Sequence, residues 1–543
     1  MKQPHPNLDI VGDPRLEGPF EANWDSLKAG YRAPDWYRDA KFGLWAHWGP
    51  QCVPEAGDWY ARNMYIQGHP QYAHHLANYG HPAETGFMEI INRWHAENWD
   101  PDDLLSLYKR AGARYFVAMA NHHDNLDNWD SSWHDWNSVR VGPKRDIVGI
   151  WAKKAREHGL KFGVSNHATR TWHWFQTAYG YDPEGARAGE RYDAYRLGRN
   201  DGEGKWWEGL DPQQLYGGAV IPLPDGVDSI KAAADWYNYD SGPQRWTEAP
   251  PLANPIFVRD WYRRCKELID KYEPDLLYFD NFDLPLGQAG LDIAAHYYNA
   301  SVARRGALDV VLNTKELPAD RQGALVEDVE RGYRAEIVPH VWQTDTCIGE
   351  WHYNRQVFER KSYVKADAVI HRLCDVVAKN GNLLLSIPMR GDGTIDSEER
   401  AIVTAVGDWM ERFGDAIHGT RPWHIFGEGP TEVVSGMFGE SAAKPFTPED
   451  IRFTTKAGDL FATTLGAPEA ALTITSLGSS GRAADGRIDR VELVGEASPL
   501  PFTRDDKGLH VQISGQSLHE FGVALRIRGA GLVDTRRLEE SPA

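Results

Sequence analysis

Five short apolar runs end in polar residues of kinds that do chemistry. They deliver His47-Trp48, Asn121-His122-His123-Asp124, Asn166-His167, Asp280-Asn281 and Asn313-Thr-Lys315. One polar end of this sort is usually a satisfied structural group. Five of them, three carrying histidine, predict one concave polar site if the strands run parallel around a barrel, where function sits at the strand C-termini. Asp280 is the best-placed carboxylate, because the run Leu276-Leu-Tyr278-Phe leads straight to it. Asp275 follows Pro274 at the start of that run and belongs to the opposite face, and Asp283 lies in the following loop. A carboxylate at the mouth suggests glycoside hydrolysis, which takes two: one attacks or activates water, the other protonates the leaving oxygen. The segment 326–336 offers Glu327, Asp328, Glu330 and Glu336 as the second. Spacing does not choose among them, and acidic loop residues commonly just meet solvent or pair with neighbours such as Arg331 and Arg334.

Other chemistries lack their signatures. Although the chain has 21 histidines, adjacent residues on a strand, as His122 and His123 would be, point to opposite faces and rarely bind one ion together. There is no H-x-H strand motif and no H-E-x-x-H helix. The four cysteines (Cys52, Cys265, Cys347, Cys374) form no C-x-x-C pair, so neither a zinc site nor a disulfide framework is expected. The nucleophile elbow G-x-S-x-G and the phosphate-cradling glycine motifs are missing. Neither metal nor cofactor is expected. Twenty-two tryptophans, many beside His, Asp or Asn, suit sugars, whose C–H faces stack on rings while their hydroxyls need polar partners. The net charge of −19 argues against nucleic acid, which rewards a basic patch, and against anionic membrane surfaces.

The elements that must position these residues alternate from about 40 to 415. A helix is predicted from Pro101 behind an Asp100 cap, then others from Asp146 to His158, across Phe257 to Tyr272, around 364–380, and from Glu398 to Phe413. Repeated strand-then-helix units imply a parallel sheet, and this many favour a closed (β/α)8-like TIM barrel of α/β class. Residues 178–253, rich in Gly, Pro, Asp and Trp, read as one long loop insertion. After Gly414 short β-branched runs such as Arg490-Val-Glu-Leu-Val predict a C-terminal β-sandwich. The expected division is a catalytic domain over 1–415 and a sandwich domain over 416–543. Mean hydropathy of −0.56 and no run of 18 apolar residues predict a soluble chain. The first residues carry no apolar signal region, so a cytoplasmic location is expected unless a leader has been removed; a homo-oligomer stays open.

The motifs also resemble a known family. Trp36-Tyr37, Lys41-Phe-Gly-Leu-Trp-Ala-His47-Trp48-Gly-Pro50 and Gly57-Asp58-Trp59-Tyr60 resemble the N-terminal signature of glycoside hydrolase family 29, the α-L-fucosidases. Further matches follow in the family's order: His122-His123-Asp124 with Trp129-Asp130-Ser131, Lys161-Phe-Gly163, Pro274 to Asp280, Trp342-Gln343, and Asn380-Gly-Asn with Gly391-Asp-Gly-Thr394. The resemblance spans residues 36 to about 415. It implies a catalytic barrel followed by a β-sandwich, a retaining mechanism without metal, and release of terminal α-L-fucose from a fucosylated glycan or oligosaccharide.

Carried over residue by residue, the resemblance makes Asp280 the nucleophile. His47, Trp59, His122 and His123 become residues that hold the fucose hydroxyls or frame the pocket, with Trp48, His167, Tyr278, Lys315 and Trp342 as further candidate substrate contacts. Asp58 stands where many members carry Glu. For the acid/base Glu330 ranks first, lying about fifty residues after the nucleophile in the expected loop; Glu336 is second and Glu327 third. Two departures put the aglycone preference in question: Asn121-His-His-Asp-Asn-Leu126 replaces a common Lys-His-His-Asp-Gly-Phe, and Ser165-Asn166-His167 stands where a tyrosine is common. The alternatives are a hydrolase of another α-glycoside, such as an α-galactoside, and a fucose-binding protein that kept the barrel without the chemistry.

Overall fold

The computed structural model describes residues 14–243, 245, 247–480, 486–513 and 518–533. Eight parallel strands close into a barrel in chain order: β1 Phe42–Ala46, β2 Tyr115–Asn121, β3 Lys161–Asn166, β4 Leu276–Phe282, β5 Val311–Lys315, β6 Val326–Asp328, β7 Trp342–Cys347 and β8 Gly381–Ser386. The circle closes where β1 pairs with β8, Phe42 opposite Leu383 through Trp45 opposite Ser386. All seven residues of β2 and all six of β8 are buried, as expected of strands covered on one side by helices and on the other by the barrel's own filling.

Helix starts follow local capping chemistry. Asp100 accepts from the amides of Asp102 and Asp103 ahead of the helix Pro101–Arg110, whose first residue is a proline with no amide to satisfy. Asp146 caps Ile147–Glu157, Asn254 caps Pro255–Tyr272, and Asp396 with Glu399 forms a capping box on Ser397–Phe413. Ala366–Ala378 begins without a side-chain cap. Among its described residues the 178–253 stretch has no strand, only short helices such as Pro212–Tyr216 and Ile230–Tyr237.

Beyond the last barrel helix the chain forms two antiparallel sheets, one of five strands and one of three, the C-terminal β-sandwich. Leu472, Ile474, Val491, Leu493, Leu509 and Val511 supply its buried faces. All four cysteines are buried and free. No helix among the described residues is long and apolar enough to cross a membrane.

Candidate active site

Strand parity decides which side chains reach the barrel mouth. Successive residues of a strand point to opposite faces, so on β4 Tyr278 and Asp280 face inward. Phe279, between them, packs outward on Trp261, with ring centroids 5.6 Å apart. On β1 the same alternation turns Trp45 and His47 inward, and on β3 it turns Ser165 and His167 inward, leaving Asn166 to accept from Trp261 Nε1 at 3.3 Å. Around the mouth lies a cavity of about 490 Å³ whose walls include Trp45, His47, Trp59, His122, His123, His167, Tyr278, Asp280, Lys315 and Glu330. Most of the strand-end residues singled out from the sequence therefore converge.

Asp280 is held from two sides. Its Oδ1 meets the ammonium of Lys315, while Oδ2 lies 3.2 Å from His167 Nδ1 and 3.4 Å from His123 Nε2. Burial works to raise the carboxyl, but the charge of Lys315 and the hydrogen bond from His167 outweigh it and hold Asp280 well below the usual carboxylate range. It is therefore an ionised carboxylate. The Lys315 nitrogen also contacts Glu330 Oε2, so one cation bridges both carboxylates. Two charge-assisted contacts of about 2.8 Å each cannot set those oxygens more than about 5.6 Å apart.

The histidines are neutral. Burial, reinforced by their mutual repulsion, pushes His47 and His122 well below the usual value, and burial pushes His123 down to about 3. Their tautomers follow from their neighbours. His122 Nδ1 accepts from Gln51 Nε2 at 3.1 Å, which leaves the proton on Nε2. His123 Nδ1 donates to the His167 carbonyl at 2.6 Å, which leaves Nε2 as an acceptor. Adjacent donor and acceptor rings of this kind suit neighbouring hydroxyls of a sugar.

Trp59 takes a left-handed backbone conformation, φ 62°, uncommon for a bulky residue and characteristic of functional sites. Its ring meets Tyr239 edge-on at 5.1 Å. Tyr239 comes from the 178–253 insertion, which thus builds part of the cavity wall together with Asp240.

Four sequence-based expectations need correcting. Trp48 has the outward parity of β1: it packs on Trp94 and Trp99 and donates to the Arg390 carbonyl at 2.8 Å. Trp342 is likewise outward on β7, donating to the Lys379 carbonyl at 2.9 Å. Neither lines the cavity. Asp58 is not among the residues that line it; it accepts from the amides of Trp351 (3.1 Å) and His352 (2.7 Å) and so anchors the wall residue Trp351. Glu336 is exposed in the loop after Tyr333. Of the remaining acid/base candidates, Glu327 pairs with Arg334 and accepts from the Leu317 amide at 3.0 Å.

Other cavity residues escaped the sequence reading. Arg170 follows His167 by three positions, and Trp351, Met437 and Phe438 come from distant loops. Asp345 sits inward on β7 and accepts from the Tyr278 hydroxyl at 2.9 Å. Burial and the charge of Glu330 raise its carboxyl to about 7. Below it Asp328, on β6, accepts from Gln343 Nε2 at 2.8 Å; burial and Asp345 push it well above the usual range. Among the described residues no group of three or more His, Cys, Asp or Glu side chains is arranged to hold a metal ion.

Comparison with known proteins bears on the family and the fold. The family model described as Alpha-L-fucosidase matches residues 12–415. The tissue alpha-L-fucosidase of Rattus norvegicus is 25% identical over 425 residues, 76% of each chain. The plasma alpha-L-fucosidase of the same organism is 24% identical over 519 residues, covering 92% of this chain and 91% of that one. Among solved structures, the Thermotoga maritima alpha-fucosidase in complex with fucose superposes with a TM-score of 0.65 at 24% identity, covering 94% of this chain and all of that one (100%).

Proposed function

The chain belongs to the alpha-L-fucosidase family of glycoside hydrolases, and from that premise we propose that it is an exo-acting, retaining α-L-fucosidase with Asp280 as nucleophile and Glu330 as acid/base. The observation that carries the proposal is the Lys315 bridge: two carboxylates on one nitrogen keep an oxygen of each within about 5.6 Å of the other, which supports the close spacing of retaining enzymes, about 5–5.5 Å, over the wider gap that admits a water in inverting ones.

In the first step Asp280 attacks the anomeric carbon while the bond to the leaving oxygen breaks and Glu330 gives that oxygen its proton. The fucosyl–Asp280 ester then yields to a water that loses its proton to Glu330, restoring both groups. Nucleophilicity is supported by the ionised state of Asp280. Hydroxyl recognition falls to His47, His122, His123 and His167, whose neutral rings donate and accept without competing for the charge on Asp280. Trp59 and Trp45 offer apolar faces to the ring and methyl group.

The test is hydrolysis of p-nitrophenyl α-L-fucoside and the matching α-galactoside by wild type, Asp280→Ala and Glu330→Ala, with and without azide. Expected are a preference for the fucoside, loss of about 10³-fold or more in Asp280→Ala, and rescue of Glu330→Ala by azide with formation of a fucosyl azide. A Glu330→Ala variant with wild-type rates would remove Glu330 from the role. A wild type that binds fucose and cleaves nothing would sink the enzymatic reading.

A further inference from the structure

A second cavity, of about 760 Å³, adjoins the first and shares Trp351 and Phe438 with it as walls. One side is the start of the helix Ala366–Ala378, through Asp367, His371 and Arg372; the other is the stretch that follows Phe438 in the C-terminal region, through Ser441, Lys444 and Phe446. We propose that this outer cavity is the aglycone subsite, binding one or two neutral pyranose rings of an oligosaccharide leaving group.

The placement of Phe438 carries the inference, together with its tie to the acid/base candidate. Phe438 donates its amide to the Glu330 carbonyl at 2.8 Å, and two residues on Glu440 donates to the Arg331 carbonyl at 3.0 Å. The segment that walls the outer cavity is thus laced to the loop bearing Glu330. A general acid protonates the oxygen that joins sugar to aglycone, so the aglycone must depart on the side of Glu330. Phe438, hydrogen-bonded to Glu330, walls both the inner and the outer cavity.

The chemistry of the walls fits a sugar. Phe438 is 52% exposed although it is a large apolar residue, and its backbone is left-handed at φ 56°, a conformation that costs a non-glycine residue free energy. The Ser441 hydroxyl donates to its carbonyl at 2.9 Å and helps fix it. An exposed ring fixed at the boundary between two cavities, where Trp351 lines both as well, is a stacking surface for a pyranose C–H face. Polar partners surround it. Glu440 pairs with both Arg331 and Arg372 and so cancels much of their charge, while Asp367, Ser441 and Lys444 remain at the walls to meet hydroxyls.

This inference rests on the fucosidase reading above, and the experiment separates the two. Hydrolysis of α-L-fucosyl fluoride, which has no aglycone ring, is compared with release of fucose from a fucosylated trisaccharide, for wild type, Ala443→Trp and Phe438→Ala. Ala443 lines only the outer cavity, and a tryptophan there fills it. The expected result is a fall of about tenfold or more in kcat/KM for the trisaccharide in Ala443→Trp, with fluoride hydrolysis within about twofold of wild type, which also certifies the fold. Phe438→Ala is expected to lose more on the trisaccharide than on the fluoride. Equal effects on both substrates, or wild-type cleavage of the trisaccharide by both variants, would overturn the subsite while leaving the fucosidase reading standing. A wild type inert towards the fluoride would overturn that reading, and the subsite with it.

Discussion

Asp280 and Glu330 share a single ammonium, that of Lys315. The lysine itself is pinned from the other direction, its carbonyl accepting from the Asp283 amide at 3.0 Å. Three carboxylates, Asp280 on β4, Glu330 in the loop after β6 and Asp345 on β7, contribute to holding it charged against burial.

Lys315→Met should therefore change the pH dependence as well as the rate. Asp280 lies below the usual range because of the cation, so the reactive ionised form is lost only as pH falls through that depressed value. Without Lys315, burial is opposed chiefly by the hydrogen bond from His167 and the value rises. The acidic limb of kcat/KM should move up by about one to three pH units, with a fall in kcat at the wild-type optimum. A profile of kcat/KM from pH 3 to 9 checks this; an unmoved acidic limb would show that Lys315 does not set the charge on Asp280.

Asp58 tests a different link, between an anchor and a wall. It accepts from the amides of Trp351 and His352 and lies 3.1 Å from His352 Nδ1. Asp58→Ala leaves these donors unmatched in a half-buried place, where each charged hydrogen bond contributes about 1.5–3 kcal/mol. The expected outcome is a lowered Tm, with KM for an aryl fucoside raised several-fold and kcat changed less, since the residue touches no reacting atom. A variant with wild-type KM and lower Tm would confine Asp58 to stability.

Most of the barrel was legible from its strands. β1 to β4 read as apolar runs closing on polar residues, and the helices between them carried their own caps. β6 and β7 were not. Val326–Asp328 is three residues long, and Trp342-Gln-Thr-Asp-Thr-Cys has too few apolar residues to mark a strand, so Asp345 passed unnoticed and the acidic stretch after Val326 read as a loop. Trp48 and Trp342 were misplaced for a physical reason that parity repairs: a residue next to an inward one on a strand points outward. Arg170, Tyr239, Trp351 and Phe438 gave no local signal, because loops far apart in sequence bring them to the mouth.

Asp345 ties the site to stability. Its carboxyl is raised from 3.8 to about 7 by burial first and the charge of Glu330 second. Between about pH 4 and pH 7 the unfolded chain releases this proton while the folded protein keeps it, so this group makes stability fall with rising pH across that window and level off above it. Asp345→Asn removes the effect and keeps an acceptor for Tyr278. The variant should gain little at pH 4 and most at pH 8, with a ceiling of about 4 kcal/mol from a shift of about three units. Thermal melts at the two pH values check the sign, and a gain equal at both would refute it.

Glu440 lies in the C-terminal region yet reaches three groups around the Glu330 loop: Arg331, Arg372 and the Thr346 hydroxyl, the last at 2.7 Å. Its removal leaves two guanidinium groups without their carboxylate in a largely buried place, a loss on the order of 3 kcal/mol. The functional consequence should be selective. A loosened Glu330 loop weakens proton donation, which matters for a leaving group that needs a proton and little for fluoride, which leaves without one. Glu440→Gln is therefore expected to lower kcat/KM for an alkyl fucoside or oligosaccharide about tenfold, while α-L-fucosyl fluoride is cleaved within about threefold of the wild-type rate. Loss of equal size on both substrates would mean that Glu440 supports the fold as a whole and does not act through the acid/base loop.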